Sequence, residues 1–201
     1  WLDNIKRRIE YFIDHLKGNG FSINEFNFTL SWRMIIGLGA SHPQETSMTI
    51  HHIYGIPYIP GSAIKGVTRH WVLKEYFSND EEKALKDKDF PTIFGTPGQA
   101  GKIIFFDTPG QAGKIIFFDA YPVEKINLKV EVMTPHYPDY YSEKAPPADW
   151  QSPNPIKFLT VEKTKFQFFV ACKKEDETLL KKASDWLKEA LTRFGIGAKT
   201  S

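Results

Sequence analysis

GIPYIPGSAIKGVTRHWVLKEYF, residues 55–77, is the stretch on which the reading of this chain turns. Pro60 and Gly61 end an extended approach, Ser62 stands where a helix cap belongs, and Ile64, Val67 and Trp71 line one side of the helix that follows. Lys65 and Arg69 are four residues apart and share another side. A helix start presents backbone N–H groups that attract phosphate, and two cations nearby strengthen that field. An ordinary capped helix with exposed basic residues has the same pattern, so the neighbouring segments must decide.

Upstream, Leu2, Ile5, Ile9, Phe12 and Leu16 recur at helical spacing until Gly18 and Gly20 stop the pattern, so residues 1–20 are expected to form an amphipathic leading helix. Phe26, Phe28, Leu30 and Trp32 then alternate with Asn27, Thr29, Ser31 and Arg33, which predicts a strand with one buried face. Downstream, the charged run 79–89 reads as a solvated helix or loop without a function. The dodecapeptide TPGQAGKIIFFD occurs twice without a difference, at 96–107 and 108–119, each copy reading as a turn and a short apolar strand. Two units of this length stack into no solenoid, so one copy alone is expected to hold the strand position.

Ile126, Leu128, Val130 and Val132 alternate with polar neighbours and predict a further strand that ends at Pro135. The segment 135–155 is proline-rich and carries His136, Tyr137, Tyr140, Tyr141 and Trp150, so it reads as a long insertion loop. Its rings could stack on bases or meet another protein. Phe166, Phe168 and Val170 mark one more strand, and Leu180, Ala183, Leu187, Leu191 and Phe194 mark a helix that Gly195 terminates. The succession is that of a single α+β domain over 1–201. With a final core strand supplied after Ser201, the core closes as a ferredoxin-like, RRM-like β-α-β-β-α-β sandwich with insertions.

A net charge of +2, from 26 basic and 24 acidic residues, does not by itself indicate nucleic acid, so any such reading rests on local placement. With 41% hydrophobic and 25% charged residues the chain is expected to fold. The absence of a membrane-length apolar run points to a cytoplasmic protein, and Cys172, the single cysteine, reads as a buried structural thiol. The six histidines show no metal-binding spacing, so neither a metal nor a cofactor is expected. His51 and His52 would face opposite sides of a strand, each able to contact RNA singly. Metal-free RNA cleavage would need a general base near a 2′-hydroxyl, and His42 in the loop after the first strand is its best candidate.

The sequence FGIGAKTS at 194–201 offers a second phosphate approach, because Gly195 and Gly197 allow close backbone contact and Lys199 supplies charge. A glycine helix cap accounts for Gly195 but not for Gly197, and the GxxxxGK[ST] spacing is absent.

GIPYIPGSAIKGVTR resembles the signature of the RAMP superfamily, and FGIGAKTS resembles the start of its C-terminal glycine-rich loop. PHYPDYY, DWQSPNPIKFLTV and WLKEALTRFGIGAKTS are similar, within that superfamily, to the family of sixth subunits of the Cmr (type III-B) CRISPR effector complex. The likeness runs from about Trp32 onward, and the duplicated dodecapeptide departs from it. It implies a non-catalytic subunit for antiviral defence that grips guide RNA and the guide–target RNA duplex, assembles with other RAMP subunits and leaves cleavage to a neighbour. Carried over by position, Ser62, Lys65 and Arg69 would face RNA phosphates from the helix, and Gly195, Gly197 and Lys199 from the glycine-rich loop. Arg33 and His42 are lesser additions. The rivals are a metal-independent RAMP endoribonuclease processing CRISPR RNA, with His42 or His136 as base, and a scaffold touching protein alone.

Overall fold

The computed structural model describes residues 2–38, 48–96, 112–134 and 155–197. In chain order the elements are α1 (Leu2–Gly18), β1 (Phe21–Thr29), β2 (Ile50–His51), β3 (Ile56–Pro57), α2 (Gly61–Phe77), α3 (Glu81–Lys86), α4 (Phe90–Phe94), β4 (Ile116–Phe117), β5 (Tyr121–Pro122), β6 (Asn127–Met133), β7 (Ile156–Glu162), β8 (Lys165–Lys173) and α5 (Glu177–Arg193). A 3-10 turn, Lys174–Asp176, joins β8 to α5.

The architecture is built around β8. It pairs antiparallel with β1 along its whole length, Phe21 opposite Lys173 and Thr29 opposite Lys165, and takes β4 and β5 on its other edge. Apolar residues therefore occupy both of its faces, and Phe166 and every residue from Phe168 to Cys172 are buried. One face meets the helices: Phe26 of β1 stacks on Phe168, Lys188 of α5 lies over Phe26, and Asn24 donates to the Ser184 hydroxyl of α5 at 3.0 Å. On the opposite face lies α1, and Ile23 and Phe169 line a cavity beneath it. The result is an α+β arrangement of antiparallel sheets with helices on both sides of the main sheet.

β6 and β7 form a separate two-stranded sheet, with Asn127 opposite Glu162 and Met133 opposite Ile156. A pair of backbone hydrogen bonds between Met34 and Val161 ties this hairpin to the segment after β1. The alternation that predicts β6 holds, yet Leu128, Val130 and Val132 stand 52%, 58% and 53% exposed, so no described residue covers their apolar side.

Several expectations need correction. The first strand lies earlier than its alternation indicates: Gly20, at φ +82°, turns the chain at Phe21, pairing with β8 ends at Thr29, and Trp32 is left exposed beyond it. β7 is not expected from the sequence, because the apolar residues of IKFLTVE break strict alternation and follow directly on Pro153 and Pro155. The charged run 79–89 agrees with its reading as a solvated helix or loop: Asp80 caps α3, Asp87 accepts from the backbone N–H groups of Asp89 and Phe90, and Ala84 alone within the run is buried. The second copy of the dodecapeptide supplies β4, whereas 97–107 of the first copy, like most of the insertion loop 135–155, falls outside the described residues. Among the described residues no helix is long and apolar enough to cross a membrane.

Candidate nucleic-acid interface

The start of α2 is docked against β4. A Cβ on Gly61 would lie 2.3 Å from the carbonyl oxygen of Phe117, so only glycine admits this approach. Asp119, just past β4, accepts the Gly61 backbone N–H at 2.7 Å. The helix dipole is thus met by a carboxylate of the chain itself, 58 residues away in sequence. The expectation that Ser62 caps this helix is overturned: Pro60 occupies the N-cap position without a side-chain bond, and Ser62 lies exposed in the first turn. Its hydroxyl faces outward beside the capped end.

Lys65 and Arg69 follow on α2 in different states. Arg69 pairs with Glu81 of α3 and lies over the Phe90 ring at 5.4 Å, which ties α2 to the short helices. Lys65 makes no ion pair with a described residue, so its ammonium is open to an external partner. Further along, His70 stacks on Phe194 with centroids 5.2 Å apart, Lys74 sits 5.2 Å from the same ring, and Arg193 lies over Trp71. This basic and aromatic patch leads into the glycine-rich loop. Sequence reading missed it, although His70 and Lys74 are four apart on the helix already singled out.

Gly195 ends α5 at φ +75° and donates its N–H to Ala190 O at 3.0 Å, the geometry of a glycine cap. Gly197, at φ +99°, has a more specific constraint: a Cβ there would come within 2.7 Å of Ile35 O and 3.2 Å of Met34 Cγ. The loop thereby packs on the segment that follows β1. Arg33 begins that segment, and its guanidinium is held by Glu131 of β6 and by Glu162 of β7, the latter at 3.3 Å. Burial acts to raise the Glu162 carboxyl, but Arg33 and Lys129 outweigh it and hold it below its ordinary value. Arg33 and Gly197 therefore flank one segment, whereas Ser62, Lys65 and Arg69 lie along α2. His42 and Lys199 lie outside the described residues.

A second cluster forms where β2, β3 and β5 meet. His51 lies 4.6 Å from Tyr54, 5.7 Å from Tyr58 and 5.9 Å from Tyr121, and Tyr58 stacks on Tyr121. Contrary to the strand reading, His51 and His52 lie on the same side, their rings stacked at 5.4 Å, because β2 ends at His51 and the chain turns there. Burial and then the Asp119 charge push the Tyr121 hydroxyl up to about 12, so it stays a hydrogen-bond donor.

A family model for the RAMP superfamily matches residues 28–201, and the chain belongs to that superfamily. It is 37% identical to the CRISPR system Cmr subunit Cmr6 of Pyrococcus furiosus, over 87% of this chain and 64% of that protein. It is 28% identical to the Cmr6 subunit of Saccharolobus solfataricus, over 99% of this chain and 62% of that protein. The chain thus spans less than two thirds of the length of these curated relatives. A chain in the cryo-EM structure of the Type III-B Cmr-beta bound to cognate target RNA shares the fold, with a TM-score of 0.69 and 23% identity over 98% of this chain and 61% of that one.

Proposed function

From its membership in the RAMP superfamily and its likeness to Cmr6 subunits, we propose that the chain is a non-catalytic, RNA-gripping subunit of a type III-B CRISPR effector complex in the cytoplasm. It binds guide RNA and the guide–target RNA duplex beside other RAMP subunits. The observation that carries the reading is 37% identity to a Cmr6 subunit over 87% of this chain. The placement of charge supports it: Lys65 on α2 has no ion-pair partner among the described residues, and His70, Lys74 and Arg193 surround the aromatic step into the glycine-rich loop. In this reading Ser62, Lys65 and the loop of Gly195, Gly197 and Lys199 meet the RNA backbone. Arg69 and Arg33 contribute less, because each is already matched to carboxylates.

The reading includes a ferredoxin-like β-α-β-β-α-β core. The strand order β1-β8-β4 supports it, with α2 and α5 packed together on one face and β1 paired along one edge among the described residues. The fourth core strand would take the other edge of β1.

Phosphate contacts hold a strand without reading its bases. Lys65→Ala is therefore expected to weaken binding several-fold and by the same factor for RNAs of unrelated sequence, as measured by fluorescence anisotropy. Losses that differ strongly between sequences would contradict the assignment of Lys65.

A further inference from the structure

Two adjoining cavities flank Tyr54, and their chemistry is complementary. The first, about 320 Å³, lies between α1 and the second face of the main sheet, at the small end of the range for ligand sites. Its floor is apolar, with Ile9, Phe118 and Phe169 among its walls, and His51, Asp119 and Tyr121 lie at its polar side. The second is lined by Asn4, Arg7, Arg8, Ile53 and Tyr54, so Arg8, Ile53 and Tyr54 belong to both.

The two arginines are not spent on the fold. Arg7 donates to the Asn4 side chain at 3.0 Å, and Arg8 donates to the Tyr54 hydroxyl at 2.7 Å with its guanidinium 5.8 Å from that ring. Neither has a carboxylate partner among the described residues, unlike Arg33 and Arg69. A pair of guanidinia with spare N–H groups suits a phosphate. An apolar space with aromatic rings among its walls, and a carboxylate acceptor and a phenol at its polar side, suits a nucleobase.

We propose that α1, the 51–54 turn and β5 form a site for a nucleoside monophosphate moiety, the base beneath α1 and the phosphate on Arg7 and Arg8. The moiety is either a free nucleotide or one unpaired nucleotide of an RNA strand. The site goes beyond the guide-gripping reading and uses none of its residues.

The test is calorimetric titration of the full chain with AMP, adenosine and ribose 5-phosphate. AMP is expected to bind saturably and more tightly than either fragment. Arg7→Gln with Arg8→Gln should weaken AMP roughly tenfold while leaving adenosine unchanged. Tyr54→Ala should weaken both AMP and adenosine, and Tyr54→Phe should restore adenosine. Thermal melts of the variants control for folding, Arg7 and Arg8 being exposed and Tyr54 half-buried. Displacement of AMP by a 5′-phosphorylated oligonucleotide would identify a strand as the source, and failure to displace it would identify the free nucleotide. No saturable AMP binding, equal binding of ribose 5-phosphate and AMP, or indifference to the arginine substitutions would each overturn the site. AMP binding that is absent while longer RNA still binds defeats this site alone; RNA binding that is absent while AMP binds defeats the guide-gripping reading alone.

Discussion

Arg33 is clamped between Glu131 and Glu162, and that pairing fixes the β6–β7 hairpin to the segment leaving β1. All three side chains are a quarter exposed or less, so losing the guanidinium leaves Glu131 without an ion-pair partner among the described residues and Glu162 with Lys129. Arg33→Ala is expected to destabilise the fold by about 1–2 kcal/mol, read from chemical denaturation. Gly197 makes a sharper case. Alanine there would meet the Ile35 carbonyl and hold a left-handed backbone, so Gly197→Ala should cost about 2 kcal/mol. An unchanged denaturation midpoint would refute the close packing of the glycine-rich loop on residues 34–36. At this scale the sequence discloses which residue types gather but not who neutralises whom. Ser62 looks like a cap because Asp119, the group that meets the helix start, lies 58 residues away. The partners of Arg33 are similarly remote, at 129 residues for Glu162.

Among the elements, those with strong local periodicity were legible. α1, α2 and α5 follow from apolar spacing, and β8 follows from Phe166, Phe168 and Val170. β7 was hidden because its burial alternates imperfectly, with Val161 and Thr160 both buried side by side. The run 79–89 reads as a solvated helix or loop because its charges outnumber its apolar residues, and its carboxylates start the helices. The Asp80 carboxyl is held below its ordinary 3.8 by the Lys83 backbone N–H and then by the Lys83 side chain. Burial acts to raise Asp87, but the N–H groups of Phe90 and Asp89 win and hold it below 3.8 as well. A carboxylate whose folded value is depressed contributes stability that is complete above its unfolded value and is lost as pH falls through the folded one. Stability should therefore decline on acidification below the ordinary carboxylate range, followed by urea denaturation from about pH 6 to about pH 3. Asp80→Asn keeps an acceptor at the cap and removes the titration, so it should shallow that decline. A decline as steep as the parent's would mean that Asp80 plays no part in it.

For the whole molecule, the order of the large elements and the α+β class could be read before any coordinates, because helix and strand periods differ along the chain. Sheet membership could not. Nothing local tells that β8 lies between β1 and β4, or that the apolar side of β6 is left uncovered by described residues. The near-zero charge balance gives no sign of the proposed interface for the same reason: acidic residues that offset Arg33 and Arg69 in the total also neutralise them in space, while Lys65 has no ion-pair partner among the described residues. Binding that depends on a few such cations should weaken with added salt, since each neutralised phosphate releases counterions. The decisive measurement is binding of a labelled single-stranded RNA to the full chain across a salt series, with the RNA recovered and its length checked. Affinity that falls as salt rises, with a shallower slope in Lys65→Ala and intact RNA throughout, is the expected result. Cleaved RNA, or the absence of salt-dependent binding at any concentration, would contradict it.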